Sequence, residues 1–241
     1  MGLQIRQAVI LAGGYGKRLA PFTDTAPKPM YPIAGKPYIE HLLLQIKNFG
    51  IYEVIFLLGY LPEKIMNYLG DGSRYGMAFR YVITDVEYET QKRILAAKNL
   101  LKDWFLMMYC DNYCPIDFPK LVMDAEGQDA LIQITAYANR DGYTKNNLRI
   151  AENGCVVSYD KKRTLPNLSG VDIGYAILNK NILKLTNGEN DNFEAVVYPQ
   201  VAAQGRMYAT VTEHRYYSIG AYERIELTEE FFKQKKFVFL D

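Results

Sequence analysis

Short apolar runs alternate with segments of helical periodicity through the first half of the chain. The runs lie at residues 7–12, 53–58, 79–83 and 104–110, and the helical spacing is found at residues 37–49, 62–69 and 90–101. Continuous apolar runs of this length favour buried strands, whereas Ile39, Leu42 and Ile46 mark one apolar face of a helix. The alternation predicts an α/β fold in three layers, with helices on both faces of a mixed, mostly parallel sheet.

Strands predominate in the second half. They are predicted at residues 130–138, 174–178 and 207–212, with a hairpin over 148–159 that turns at Asn153-Gly154. Helices are predicted at residues 193–203 and 222–236. This half should therefore form a smaller, β-rich portion of the same domain, which we expect to span residues 1–241.

The first strand leads into a loop with the chemistry of an anion site. Residues 11–19 read Leu-Ala-Gly-Gly-Tyr-Gly-Lys-Arg-Leu. Backbone N–H groups beside glycines can approach an anion closely, and Lys17 and Arg18 supply positive charge. The alternative is a tight strand-to-helix turn. The loop does not match a P-loop, because residue 11 is Leu, and Leu19 breaks the dinucleotide fingerprint, which disfavours a dehydrogenase.

Composition limits the partners of the chain. It has 241 residues, with 28 Lys+Arg against 27 Asp+Glu and a net charge of +1. This balance disfavours nucleic acid and membrane surfaces as partners. No apolar run approaches the ~18 residues of a membrane span, and the N-terminus lacks a secretory core, so we expect a cytoplasmic protein. Zinc held by Cys110, Cys114 and His214 would lack a fourth ligand.

A longer pattern resembles a known family. Residues 11–19 are followed by Pro21, Thr23 and the run Pro-Lys-Pro-Met-Tyr-Pro-Ile-Ala-Gly-Lys-Pro at residues 27–37. Together they resemble the signature region of the sugar-1-phosphate nucleotidyltransferases. The resemblance implies a Rossmann-like fold, with a nucleotide-binding half over about residues 1–128 and a sugar-phosphate-binding half over about 129–241. It also implies a nucleoside triphosphate, a sugar 1-phosphate and Mg²⁺ as ligands.

The resemblance assigns roles in the first half. Arg18, Lys28 and Asp111 are the implied catalytic residues, with Asp111 as the Mg²⁺ ligand; a turn is the alternative role for this aspartate. The implied nucleotide-binding residues are Leu11, Ala12, Gly13, Gly14, Tyr15, Gly16, Lys17, Arg18, Glu89 and Gln91. Residues 91–95 replace the family's glycine-rich base loop, so the base cannot be inferred. Glu89 and Gln91 could hydrogen-bond a base, and placement on a helix surface is equally open.

Sugar-phosphate binding is implied for the second half. The residues are Lys161, Asn147, Asp172, Gly174 and Glu194. Lys162 is an alternative to Lys161, since either of these adjacent lysines can match the lysine of the family motif. Ser218 stands where the family carries a second metal-binding aspartate. Either Asp111, phosphates and water hold Mg²⁺, or another carboxylate such as Asp172 substitutes, or the protein has little activity.

The combined motifs resemble most a subgroup that makes nucleotide-activated heptose. These motifs begin at Tyr109, Arg140, Gly170 and Arg215. GTP and D-glycero-α-D-manno-heptose 1-phosphate are therefore the expected substrates, with the product used for a surface polysaccharide. Alternatives are a hexose- or amino-sugar-1-phosphate enzyme that uses UTP, CTP or dTTP, and a non-catalytic nucleotide-binding regulator. A monomer or a homodimer is expected.

Overall fold

A sheet of seven strands runs through the computed structural model, which describes residues 2–234. Its strands, labelled in chain order, are β1 (Gln7–Ala12), β2 (Glu53–Leu58), β3 (Ala78–Ile83), β4 (Trp104–Tyr109), β5 (Ile132–Tyr137), β6 (Val171–Asn179) and β7 (Met207–Thr212). Their spatial order is β7-β5-β6-β4-β1-β2-β3. Within this sheet β6 runs antiparallel to both neighbours and the other pairings are parallel. The predicted mixed, mostly parallel sheet is confirmed.

Helices cover both faces of this sheet. They are α1 (Tyr38–Asn48), α2 (Pro62–Leu69), α3 (Thr90–Ala96), α4 (Phe118–Glu126), α5 (Phe193–Ala203) and α6 (Ile225–Lys233). Ala8 and Ile10 of β1 pack into the core with α1, α2, α4 and α6, while Val9 and Leu11 pack into the core with α3 and α5. Because successive side chains of a strand point to opposite faces, one buried strand serves both cores.

Three short antiparallel pairings surround the sheet. Leu148–Ile150 pairs with Val156–Tyr159, which gives the predicted hairpin. Asn112–Tyr113 pairs with Tyr217–Ser218, and this ladder ties the segment after β4 to the segment before α6. The third pairing joins Pro32–Ile33 to Lys36–Pro37.

The structure differs from the predicted elements in three places. Helix α4 was not predicted, although Asp117 caps it by accepting a hydrogen bond from Lys120 N at 2.9 Å and Pro119 occupies its first turn. Helix α3 ends at Ala96 rather than at residue 101. The last predicted helix is divided into a 3₁₀ turn, Tyr222–Arg224, and α6, and its residues 235–236 lie outside the described residues.

No helix in residues 2–234 is both long and apolar enough to cross a lipid bilayer.

Candidate active site

Two adjoining cavities lie where β1 and β4 end. The first, of about 350 Å³, is lined by residues 11–16, by Lys28 and by residues 86–90, and we call it the glycine-loop cavity. The second, of about 400 Å³, is lined by residues of the hairpin, β6, α5 and the segment 216–224, and we call it the hairpin cavity. Tyr109 and Asp111 line both. Ligands of parallel α/β sheets bind at this edge, so the two cavities are the candidate site.

The glycine loop is shaped by two close approaches. Gly16 has φ 67°, and a Cβ added there would lie 3.2 Å from Cβ of Lys28. A Cβ on Gly13 would lie 2.3 Å from Nη1 of Arg93. Since only glycine leaves this room, the loop can lie against both cationic side chains. The structure thus brings the predicted residues Leu11, Ala12, Gly13, Gly14, Tyr15 and Gly16 to one cavity wall.

Lys28 and Asp111 form an ion pair at the junction of the cavities. Nζ of Lys28 lies 2.9 Å from Oδ2 of Asp111, with 14% and 21% of the two side chains exposed. Lys28 lies between two prolines in the 3₁₀ turn Lys28–Met30, which fixes its backbone. The backbone oxygen of Asp111 accepts a hydrogen bond from Ile219 N at 3.0 Å. No hydrogen bond within residues 2–234 reaches Oδ1 of Asp111, so this oxygen is available to a ligand.

The two cations that follow the loop lie in different places. Arg18 lines the hairpin cavity, not the glycine-loop cavity, because the left-handed turn at Gly16 leads into the 3₁₀ turn Lys17–Leu19. Lys17 is exposed, lines neither cavity and lies 5.0 Å from the ring centre of Tyr15. The structure therefore brings neither Lys17 nor Arg18 to the glycine-loop cavity.

A buried acid cluster forms one wall of the hairpin cavity. The hydroxyl of Tyr159 lies 3.3 Å from Oδ2 of Asp172 and 3.2 Å from Oε2 of Glu194. Lys161 forms an ion pair with Glu194. Burial, together with the charge of Glu194, raises the pKa of Asp172 to about 7. For Lys161, burial lowers the pKa, but the charge of Glu194 opposes this and the net direction is upward.

Local irregularities aim these acids into the cavity. The register between β5 and β6 shifts between Asp172 and Ala176, and Gly174 within the bulge has φ 84°. Oδ1 of Asn147 accepts a hydrogen bond from Asp172 N at 2.8 Å. Glu194 lies in the first turn of α5, where the helix dipole favours a carboxylate. Lys161, Asn147, Asp172, Gly174 and Glu194 all line this cavity, whereas Lys162 does not.

Of the two residues predicted near the replaced base loop, Glu89 and Gln91, only one lies at the cavity. Glu89 lines the glycine-loop cavity, but Gln91 does not. Its buried amide instead donates to Asn187 Oδ1 at 2.5 Å and to Glu189 O at 2.9 Å. Gln91 thus holds the 187–191 loop rather than facing a ligand, because the first turn of α3 directs its side chain inward.

Arg93 is the buried cation of this region. Its guanidinium donates to Leu58 O at 3.2 Å, to Thr84 Oγ1 at 2.6 Å and to Val86 O at 2.7 Å. It lines the glycine-loop cavity, and its guanidinium packs against Gly13.

Ser218 lies close to Asp111. It is buried, lines the hairpin cavity and pairs with Asn112 in the short ladder. Its Oγ accepts a hydrogen bond from Gly220 N at 2.9 Å. Within residues 2–234 no three or more His, Cys, Asp or Glu side chains are grouped as metal ligands would be, and Cys110, Cys114 and His214 are not brought together in such a group.

The sequence did not indicate several cavity residues. These are Val86, Glu87 and Tyr88 in the glycine-loop cavity, and Asn112, Thr144, Arg163, Tyr216 and Arg224 in the hairpin cavity. Asn112 and Tyr216 lie in the motifs that begin at Tyr109 and Arg215, but the sequence assigned them no role. The others belong to no motif, and tertiary packing brings them to the cavities.

The chain belongs to the nucleotidyl transferase family, whose model matches residues 7–217. The resemblance of the loop and of the 27–37 run to this family is thereby confirmed. Bifunctional protein GlmU of Methanococcus maripaludis is 31% identical over 196 residues, or 79% of this chain and 42% of that protein. Mannose-1-phosphate guanylyltransferase of Mycobacterium tuberculosis is 29% identical over 220 residues, or 90% of this chain and 61% of that protein.

Solved structures share the fold over almost the whole chain. The crystal structure of HddC from Yersinia pseudotuberculosis superposes with a TM-score of 0.79 at 26% identity, covering 95% of this chain and 100% of that chain. HddC has also been solved in complex with GMP-PN. The chain spans about 42% of the length of the first GlmU relative, so activities of the longer relatives do not transfer to it directly.

Proposed function

We propose that this chain transfers a nucleotidyl group from a nucleoside triphosphate to a sugar 1-phosphate, with release of pyrophosphate. The observation that carries the proposal is the meeting of two cavities at Asp111, beside Lys28. One cavity has the glycine-rich wall that suits a triphosphate. The other has buried acids that suit sugar hydroxyls. Family membership and the HddC fold support the same reaction.

In this mechanism an oxygen of the sugar phosphate attacks the α-phosphorus. A new P–O bond forms between this oxygen and the α-phosphorus. The bond between the α-phosphorus and the oxygen that bridges it to the β-phosphorus breaks, and the bridging oxygen leaves as part of pyrophosphate. Catalysis then rests on positioning polyanions and neutralising charge. The N–H groups of residues 13–16 hold the triphosphate, while Lys28 and Arg18 supply positive charge from the two sides of Asp111. Asp172 and Glu194 accept hydrogen bonds from the sugar.

Asp111 fits Mg²⁺. Its Oδ1 is free of hydrogen bonds within the described residues, and Mg²⁺ typically takes one or two protein carboxylates besides phosphates and water. Asp111 would hold the ion, and the ion would supply charge neutralisation at the phosphates. Asp172 is a poorer choice, because burial and Glu194 raise its pKa and favour its protonated form.

For the substrates we favour GTP and D-glycero-α-D-manno-heptose 1-phosphate, giving GDP-heptose for a capsule or lipopolysaccharide. Two relatives support a guanine nucleotide: the mannose-1-phosphate guanylyltransferase of M. tuberculosis and HddC, which was solved with GMP-PN. Glu89 and Glu87 in the glycine-loop cavity offer carboxylates that can accept hydrogen bonds from guanine N1–H and N2–H₂.

Ser218 favours a second candidate function. A nucleotide-binding module without turnover would keep both cavities while losing a metal-binding acid, and serine at 218 meets that description. Such a protein would bind a nucleoside triphosphate and form no nucleotide sugar.

A substrate panel separates the two candidates. The protein is incubated with Mg²⁺, each of GTP, UTP, CTP and dTTP, and each of several sugar 1-phosphates including the heptose, and pyrophosphate release is followed. We expect turnover, greatest with GTP and heptose 1-phosphate. Nucleotide binding without pyrophosphate release in any combination would establish the binding module instead.

A further inference from the structure

The hairpin cavity carries more positive charge than its acids neutralise. Four cations line it: Arg18, Lys161, Arg163 and Arg224. Its three carboxylates already have partners or a raised pKa. Glu194 pairs with Lys161, Asp111 pairs with Lys28 from the other cavity, and Asp172 has its pKa raised by burial. The three arginines form no ion pair within residues 2–234, so the cavity suits an anion.

Arg224 is the arginine that the structure fixes in place. Its guanidinium lies 5.0 Å from the ring centre of Tyr143 and 5.5 Å from that of Tyr216, and its Nη1 donates to the Tyr216 hydroxyl at 2.7 Å. Two aromatic faces and one neutral acceptor hold the guanidinium but leave its charge uncompensated. Such a group is ready to receive an anion with little further loss of side-chain entropy.

The other two arginines are less suited. Nη1 of Arg163 donates hydrogen bonds to Thr144 Oγ1 at 3.0 Å and to Lys145 O at 2.5 Å. These bonds hold its guanidinium against the protein rather than towards a ligand. Arg18 is exposed and makes no side-chain hydrogen bond within the described residues.

We propose that Arg224 binds the phosphate group of the sugar 1-phosphate. This inference rests on the proposed function and adds a substrate-binding residue to it. A planar guanidinium can give a phosphate two parallel hydrogen bonds, which a lysine cannot match. Arg224 lines the hairpin cavity and not the glycine-loop cavity, so the sugar phosphate, rather than the triphosphate, is its ligand.

The test compares Arg224→Gln and Arg224→Lys with the wild-type protein in steady-state kinetics. In Arg224→Gln we expect KM for the sugar 1-phosphate to rise by about 10- to 100-fold, the usual effect of losing hydrogen bonds to a charged group, while KM for the triphosphate changes by less than about twofold. In Arg224→Lys, KM for the sugar 1-phosphate should lie between the values of the wild-type protein and Arg224→Gln. In Arg224→Ala, free guanidinium should restore part of the loss, which a purely structural role would not allow.

Arg215 provides the matched control. Its guanidinium lies 5.2 Å from the ring centre of Tyr143, the same ring that the Arg224 guanidinium contacts. Unlike Arg224, it does not line the hairpin cavity. Arg215→Gln should leave both KM values within about twofold. An unchanged KM for the sugar 1-phosphate in Arg224→Gln would overturn the proposal. An equal rise for both substrates, or the same rise in Arg215→Gln, would also overturn it.

Calorimetry separates this proposal from the proposed function. If the wild-type protein forms no product, mannose 1-phosphate and mannose are titrated into wild-type protein and Arg224→Gln. Tighter binding of the phosphorylated sugar by wild type, lost in the variant, upholds Arg224 even though the proposed reaction fails. Equal affinity of the wild-type protein for the two sugars would overturn the phosphate site.

Discussion

Lys28 and Asp111 are 83 positions apart in the chain, yet their side chains meet at 2.9 Å between the two cavities. Lys28 is fixed by flanking prolines, and Asp111 lies two residues after the end of the central strand β4. A rigid turn and a buried strand therefore hold the two side chains in place. This rigidity matters because charge stabilisation is effective only when the charges are held in place before the reaction.

We expect Asp111→Asn to lower kcat by at least about 100-fold, because the amide cannot replace the carboxylate as a metal ligand. The fold should survive, since a partly exposed ion pair contributes only about 1 kcal/mol. Initial rates of pyrophosphate release and thermal unfolding measure the two effects. Wild-type rates in this variant would show that Asp111 holds no essential metal.

Gly16 provides a test of the loop geometry. Ala at φ 67° costs about 1–2 kcal/mol, and its Cβ would also press on Lys28 at 3.2 Å. Gly16→Ala should therefore lower the free energy of unfolding by about 1–3 kcal/mol and raise KM for the triphosphate. Gly14→Ala is the control for stability, since no atom lies within 4 Å of its added Cβ, and urea unfolding should show a change below about 0.5 kcal/mol. Equal destabilisation of the two variants would contradict the loop geometry.

Asp172 makes stability depend on pH. Its folded-state pKa of about 7 lies above the value of about 4 in an unfolded chain, so the folded protein holds this proton more tightly. The resulting stabilisation is complete below pH 4 and is lost as pH rises to 7, with an upper limit of roughly 4 kcal/mol.

Asp172→Asn removes this titration. The variant should therefore lose less stability than wild type between pH 4 and pH 7, as urea unfolding across this range can show. Glu152→Gln, at an exposed position, should keep the wild-type profile. Parallel profiles for wild type and Asp172→Asn would mean that folding does not raise the pKa of Asp172.

At the scale of elements, hydrophobic periodicity predicted the central strands and most helices, because each buried strand or helix face has its own short-range pattern. Helix α4 was missed although Asp117 and Pro119 gave a start signal. Helix α3 was predicted too long, because its favourable composition continues past Ala96 into turns. The contacts between elements have no local pattern, so the sequence did not indicate Thr144 and Arg224 as cavity residues.

We expect helix α3 to support the glycine loop through Arg93. Lys at 93 keeps the charge but cannot reach Leu58 O, Thr84 Oγ1 and Val86 O together. Arg93→Lys should lower the free energy of unfolding by about 2–3 kcal/mol and raise KM for the triphosphate. Lys98→Ala, at an exposed position after α3, should change neither. Wild-type stability and KM in Arg93→Lys would show that the loop needs no such support.

For the whole molecule, a net charge of +1 conceals an uneven distribution. Residues 13–37 contain four cations and one acid. The fold directs three of these cations to different places: Lys28 to the junction, Arg18 to the hairpin cavity and Lys17 to the surface. With Arg163 and Arg224 added from the second half, positive charge is concentrated around Asp111. Composition alone could not show this, because the cations come from both halves of the chain.

The fate of a labelled α-phosphate shows directly whether the protein transfers a nucleotidyl group. GTP labelled with ³²P at the α-position is incubated with Mg²⁺, heptose 1-phosphate and the protein, and the products are separated by chromatography. We expect the label to enter a nucleotide sugar in amounts equal to the pyrophosphate released, and we expect Asp111→Asn to abolish the transfer. The proposed transfer would be contradicted if the label stayed in the triphosphate, or appeared only in the nucleoside monophosphate, with every triphosphate and sugar 1-phosphate of the substrate panel.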